Sequence, residues 1–545
     1  MVERLFRESR GQASHVADFF DAIVVGGGHN GLTAAAYLAR SGARVLVLER
    51  RQIVGGAAVT EEVMPGCRVS FCSYIASMLT PAVVKELGLA DHGLQMVACD
   101  PALNVPTSDE GLVTLWSDPL RTAASLRPYS QKDADNFVAV EHQLKALARY
   151  LQPFFLKPPP ALSGNLVDRL GELASMARQF WGISRDEIAS MTRFLTGSLA
   201  EFLERHFESE ETHRLFLANN VYGKHGGPYD PGSTLGLLFH LLGGGDKSIQ
   251  GFSGHVIGGM GSVSDALANA ARGFGAEIIT NAEVARIHVK GGRASGVELV
   301  DGRMFHAKAV VSNADPKRTF LGLVDAEHLD PTFRSDIAAI KMAGPSAKVN
   351  MVLSEPPSIT GMSLDATPAE RAVFSVMGSM EAMQRCYDAS KFGEVADELW
   401  VDCVIPSLVD PTLCPSDRTM LTCFVQYVPF RLREGDWDSR REALGDQVVQ
   451  QIGRVAPNVP GSVVARKVIT PLDLERTYGL TEGNIFHGDL NLAQLFFMRP
   501  HPDWSGYRTP VAGLYLCGAG THPGGGVTGA PGRNAAQVIL KDLRR

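Results

Sequence analysis

Apolar residues recur along this chain in distinct rhythms, and each rhythm predicts a different element. Ala22 to Val25 (AIVV) is a continuous, mostly β-branched run, as expected of a strand buried on both faces, and Arg44 to Leu48 (RVLVL) repeats the pattern. The alanine-rich segment between them, reaching Leu38, reads as a helix. Alternation of apolar and polar residues comes later, in Ala276 to Ile287 and Ala294 to Val300, with Asp301-Gly302 as a turn before a further strand, Lys308 to Asp315. Helical spacing marks Leu166, Leu170, Leu173, Ala177 and Phe180, which follow an apolar, proline-rich connector from Pro153 to Leu162. Lys348 to Leu353, Leu399 to Ile405 and Met420 to Val428 are strand-like and suited to form the floor of a pocket. One helix is expected from about Asp265 and a last one from about Asn534, the latter preceded by a strand and a glycine-dense loop that begins at Gly513.

Where the first strand meets the first helix, the glycines become informative. Gly26, Gly28 and Gly31 fall on the G-x-G-x-x-G spacing, which permits a tight turn, close approach of backbone N–H groups to a pyrophosphate, and close helix–strand packing. The next strand ends in Glu49, 18 residues after Gly31. A carboxylate there accepts hydrogen bonds from both ribose hydroxyls of an adenosine and repels a 2′-phosphate, so the spacing favours FAD or NAD over NADP. The purely structural alternative makes the glycines turns and Glu49 a surface acid. The ordered succession of strand, loop, helix, strand and acid favours the cofactor.

Several segments carry a family resemblance. GGGHNGL from Gly26, the pair Gly55-Gly56 just after the acid, Gly258 to Ala266 (GGMGSVSDA) and GAGTHPGGG from Gly518 resemble the phytoene desaturase branch of the flavin amine oxidase superfamily. The likeness spans nearly the whole chain. It implies an α/β fold: a Rossmann-like FAD-binding domain (1–75, 251–315 and 501–545) with an inserted, discontinuous α+β substrate domain (76–250 and 316–500). It also implies FAD as cofactor, with contacts expected from Gly26, Gly28, Gly31, Glu49, Arg50, Gly56, Ala57, Val284, Gly518 and Val527, Val284 meeting the adenine through its backbone. The reaction expected is hydride transfer between flavin and an apolar small-molecule substrate. Amine oxidation is one rival. A protein that holds FAD while serving as a regulatory or interaction partner in mitochondrial or respiratory function is another.

Two further patterns test that reading. Cys67 and Cys72 have the C-x4-C spacing of a redox-active disulfide, but they lie beyond Pro65-Gly66 in the strand-like run CRVSFC rather than at the start of a helix, so a thiol relay is rejected. Gly524, Gly526 and Gly529 repeat G-x-G-x-x-G, yet only 16 residues follow, too few for a helix, a second strand and its acid. That loop is assigned to the same flavin, and no nicotinamide domain is expected.

Composition narrows the classes. With 545 residues, 45% of them hydrophobic, the chain can bury a large core and form more than one lobe. A net charge of -7, without a basic stripe, argues against nucleic acid. Eight scattered cysteines lack metal-ligand spacing and suit a reducing compartment, so no metal is expected. No apolar run is long enough for a transmembrane helix. Arg4, Arg7 and Arg10 are offset by Glu3, Glu8 and Asp18, which weakens a transit-peptide reading. The expected location is cytoplasmic for a bacterial source and the mitochondrial matrix for a eukaryotic one. Phe154, Phe155, Leu156, Phe180 and Trp181 suggest either a packed helix end or a lid with peripheral membrane contact.

No catalytic triad stands out, which suits a flavin enzyme, where the cofactor carries the chemistry and the protein positions the substrate. His522 in the C-terminal loop and His487 in GNIFHG are the candidate catalytic residues; bracing the glycine loop is the alternative for His522. His29 is expected beside the pyrophosphate. Lys348 is read either as a lysine that holds water near the flavin, as in amine oxidases, or as a solvated side chain.

Overall fold

A computed structural model describes residues 19–159, 171, 174, 182–220, 222–244 and 254–544. The helix expected around Leu166, Leu170, Leu173, Ala177 and Phe180 lies outside the described residues, as does Trp181. At the centre of the first sheet is β1 (Phe19–Val25), parallel to β2 (Val45–Leu48) on one side and to Met304–Ser312 on the other. Glu277–Ile279 extends the sheet beyond β2, and Leu514–Leu516 pairs in parallel with the end of Met304–Ser312. The hairpin Val284–Lys290/Arg293–Leu299 adds an antiparallel edge and brings the total to seven strands.

The continuous apolar runs have a packing reason. Ala22, Val24, Val45 and Val47 face one cluster, built with three helices: α1 (His29–Arg40), Gly261–Gly273 and Ala530–Leu543. Ile23, Val25, Leu46 and Leu48 face the other cluster, with Phe320, Phe333 and Ile337. Both faces are covered, so alternation is lost, as parallel strands require.

The last two helices begin earlier than their apolar periodicity suggests, at Gly261 and Ala530. Pro531 opens the final helix, where its missing N–H is not needed. A Cβ on Gly532 would stand 2.2 Å from the Asn30 carbonyl oxygen, so this helix crosses α1 almost backbone to backbone.

The second sheet also has seven strands, including Ser346–Leu353, Val373–Val376, Trp400–Val404 and Thr419–Gln426. Its strands come from residues 103–115 and 346–469, whereas the first sheet draws on 19–48, 277–312 and 514–516. A small pairing of Met96–Ala98 with Gly254–Val256 links the two sets of segments. Helix Gln131–Phe155, N-capped by Ser130, ends with Phe155 buried against Phe239 at a ring separation of 6.0 Å. Among the described residues no helix is long and apolar enough to cross a membrane.

Arg499 ties the returning segments together. Its buried guanidinium donates to the carbonyls of Ala519 (2.9 Å), Gln494 (2.9 Å), Asp489 (3.2 Å) and Phe486. Burial pulls its pKa down to about 10, so it stays charged at neutral pH. Arg499→Ala strands these acceptors at about 1–3 kcal/mol each. We expect a thermal melting point several degrees lower, with Arg499→Lys recovering only part; unchanged melting curves would contradict the clamp.

Candidate active site

Open parallel sheets bind ligands at the carboxyl ends of their strands, and here those ends border a cleft of ≈ 320 Å³. The glycine loop is its base. Gly26 adopts φ +96°, and a Cβ on Gly31 would stand 2.2 Å from the Gly26 carbonyl oxygen, so a side chain at Gly31 would force the loop open. Gly28 caps α1 in extended backbone with no side-chain hydrogen bond and no acid in the first turn, which leaves the helix N–H groups to an anion.

Glu49 is buried at the end of β2 and uses both oxygens on backbone: Oε2 accepts from the Gly27 N–H and Oε1 from the Arg51 N–H, each at 2.8 Å. The Gly55 N–H donates to the Gly27 carbonyl at 2.7 Å and docks the second glycine pair on the first. Asn313 closes the loop from below. Its N–H donates to the Val25 carbonyl at 2.9 Å, and its side chain lies against Gly26, Gly28 and Gly31.

An adjoining cavity of ≈ 150 Å³ shares His29, Ala57 and Ile485 with the cleft. One wall belongs to the second sheet. Lys348 pairs with Phe424 and Phe424 with Asp402, and all three side chains line the cavity. Tyr74 Oη donates to Asp402 Oδ2 (2.5 Å) and Ser375 Oγ to Oδ1 (2.6 Å). Burial raises the Asp402 pKa, opposed by these bonds. Lys348 is 2% exposed; its Nζ lies 3.8 Å from the centre of the Tyr74 ring and has no hydrogen-bond partner. Loss of hydration pulls its pKa from 10.5 down to about 8.

Comparison with known proteins matches a family model, that of the flavin-containing amine oxidoreductases, over residues 31–540. The chain belongs to this family. It is 37% identical over 550 residues to pyridine nucleotide-disulfide oxidoreductase domain-containing protein 2 of Rattus norvegicus, covering 96% of this chain and 94% of the relative. It is 26% identical over 540 residues to a neurosporene-forming phytoene desaturase of Cereibacter sphaeroides, covering 97% and 95%. Among solved structures it shares the fold of cyclohexylamine oxidase from Brevibacterium oxydans IH-35A (TM-score 0.55, 17% identity, 96% and 100% covered).

As a flavin-containing amine oxidoreductase the chain is an oxidoreductase with FAD as its cofactor, and the cleft fits that group. Arg51 Nη1, His29 Nε2 and His487 Nδ1 are buried along it without partners in the protein. Gly26, Gly28, Glu49, Arg50, Gly56, Ala57 and Val284 all line it. Gly31 lies beneath the loop. Gly518 lies behind the wall, where a Cβ would meet the Asn313 carbonyl oxygen at 2.6 Å, and its neighbour Ala519 reaches the cleft instead. Val527 lines the adjoining cavity.

The two histidines part company. His487 lines the cleft in left-handed backbone (φ +56°). His522 lines neither space: its Nε2 is 2.8 Å from the Phe154 carbonyl, and burial lowers its pKa to about 4. That geometry fits the alternative in which His522 braces the glycine loop rather than a catalytic role, because the ring is held on the end of helix Gln131–Phe155. A solvated Lys348 is also excluded, since its strand lies inside the second sheet. Cys67 and Cys72 are free and buried, and burial raises the Cys72 thiol to about 12.

Asn313, Arg318, Arg51 and Tyr478 also line the cleft and were not singled out from sequence. Asn313 lies within Lys308 to Asp315, a segment whose pattern already assigns it to the cofactor domain. Tyr478 carried no local signal.

Two measurements probe this geometry. Glu49→Ala frees two buried N–H groups at about 1–3 kcal/mol each, so FAD affinity should fall tenfold or more in a flavin fluorescence titration. Retained affinity would exclude the role. Lys348→Met should stabilise the fold below pH 8 by about 3 kcal/mol, from the fall of the pKa from 10.5 to about 8. Below about 8 the folded and unfolded chains are both protonated there, and the full penalty applies. Between 8 and 10.5 the unfolded chain alone keeps the proton, so the wild type regains stability as pH rises and the advantage of the variant disappears. Denaturant titrations at pH 7 and pH 10 check this.

Proposed function

We propose that this flavin-containing amine oxidoreductase moves a hydride to or from an apolar substrate held in the ≈ 150 Å³ cavity. The observation that carries the reading is the adjacency of that cavity to the cofactor cleft, the two sharing His29, Ala57 and Ile485 as walls. Bound FAD supplies a two-electron acceptor or donor.

The chain's own residues set what happens around it. Met78, Val373, Phe424, Leu474 and Phe486 present apolar walls that exclude water and favour hydrocarbon surface over polar groups. Three adjacent strands of the second sheet supply Val373, Asp402 and Phe424, so this wall is stiff and fixes the distance of approach. A cavity near 150 Å³ holds a benzene-sized group, so a larger substrate would react by inserting one segment. The relation to a phytoene desaturase, a protein named for an apolar polyene, supports this reading.

Val373→Phe fills the cavity from its wall while leaving the cleft untouched. We expect full FAD content but at least tenfold slower anaerobic bleaching of the flavin by an apolar substrate, read at the visible flavin band. Equal bleaching in the variant, or bleaching with peroxide release on adding amines alone, would defeat the proposal in favour of another site or of amine oxidation.

A further inference from the structure

Asp402 anchors the polar corner of the cavity. Asp402 receives Tyr74 and Ser375, one on each oxygen. Among the described residues lining the cavity, two side-chain nitrogens are buried and unpartnered: His29 Nε2 and Lys348 Nζ. His29 also borders the cofactor cleft and belongs to the glycine loop. Lys348 does not border the cleft. Among the described residues it forms no ion pair; its Nζ lies over the face of Tyr74, which attracts a cation but accepts no conventional hydrogen bond, and Asp402 acts on it only through space.

An ammonium with three donors, buried in a corner where Asp402 attracts it but no acceptor stands within hydrogen-bond distance, is a costly arrangement. A substrate relieves it by bringing an acceptor. A pure hydrocarbon leaves the donors unmet. An alkylammonium places a like charge beside them in a poorly screened space.

We propose that Lys348 Nζ recognises an oxygen acceptor on the substrate, so that the molecule taken is an apolar chain or ring bearing a carbonyl or carboxylate. This deepens the apolar-substrate reading and rests on it. Tyr74 holds the lysine in place through its ring, and Asp402 fixes Tyr74 through its hydroxyl. Lys348 is thus a specificity-determining group. The cavity volume restricts the portion beside it to about six carbons.

The test titrates FAD-loaded protein with hexane, 2-hexanone, hexanoate and hexylamine at pH 7, following perturbation of the visible flavin spectrum. At least one oxygenated probe should bind tenfold or more tightly than hexane, with hexylamine weaker than hexane. A preference for hexanoate assigns a fatty-acid-like substrate, and one for 2-hexanone a ketone; either supports the proposal. In Lys348→Met the oxygenated probes should lose that advantage, while the unchanged flavin spectrum reports an intact fold. Hexane binding as tightly as both oxygenated probes to the wild type overturns the proposal alone, as does discrimination that survives in the variant. Tightest binding of hexylamine also overturns it. Failure of all four probes, hexane included, overturns the apolar-cavity reading beneath it.

Discussion

Strand Met304–Ser312 is the constraint on which the site depends, because it is hydrogen-bonded on both edges by segments far away in the chain. One edge pairs with β1 from Phe19↔His306 to Val25↔Ser312, and the other takes Leu514–Leu516. The two glycine-rich loops leave this three-strand unit at the same end, over Asn313. The close contact of Gly532 with Asn30 then locks the helices that follow them. Small residues are required at this crossing, since packing backbone on backbone leaves no room for a Cβ.

The loop itself is shaped by hydrogen bonds that do double duty. Glu49 holds Gly27 and Arg51 through backbone N–H groups, and Gly55 holds Gly27 from the other side. An acid expected to meet a ribose is therefore also a structural strut. Preorganisation of this kind lowers the cost of binding, because the loop need not order when cofactor arrives.

Next to this rigid cradle lies a cavity whose chemistry is uneven. Most of its wall is apolar, but Asp402, Tyr74 and Lys348 form a polar corner in which carboxylate and hydroxyls are satisfied and the ammonium is not. Buried charge opposes folding, and its presence in a wall otherwise built of hydrophobic side chains points to use rather than to stability. The flavin-containing amine oxidoreductase fold supplies the cleft; this corner is where the chain distinguishes one substrate from another.

Local sequence determined the strand–loop–helix of the cofactor cradle, the acid ending β2, the strand pair joined at Asp301-Gly302, and the three strands that floor the cavity. Each rests on short-range rules, namely periodicity, glycine spacing and β-branched runs, which operate within about ten residues. The segment Ala276 to Ile287, which reads as one strand, divides into Glu277–Ile279 beside β2 and Val284–Lys290 at the far edge. Helix starts at Gly261 and Ala530 escaped those rules, because the glycines there answer to close approach by other segments, Gly261 to Thr60 and Gly532 to Asn30. The direction of His522, the burial of Lys348 and the place of Tyr478 on the cleft wall were decided by tertiary structure alone. A histidine beside glycines can turn either way, and a lysine in a strand faces solvent or core according to what covers the sheet. Residues more than a hundred positions apart met to settle both cases, and no local pattern encodes that meeting.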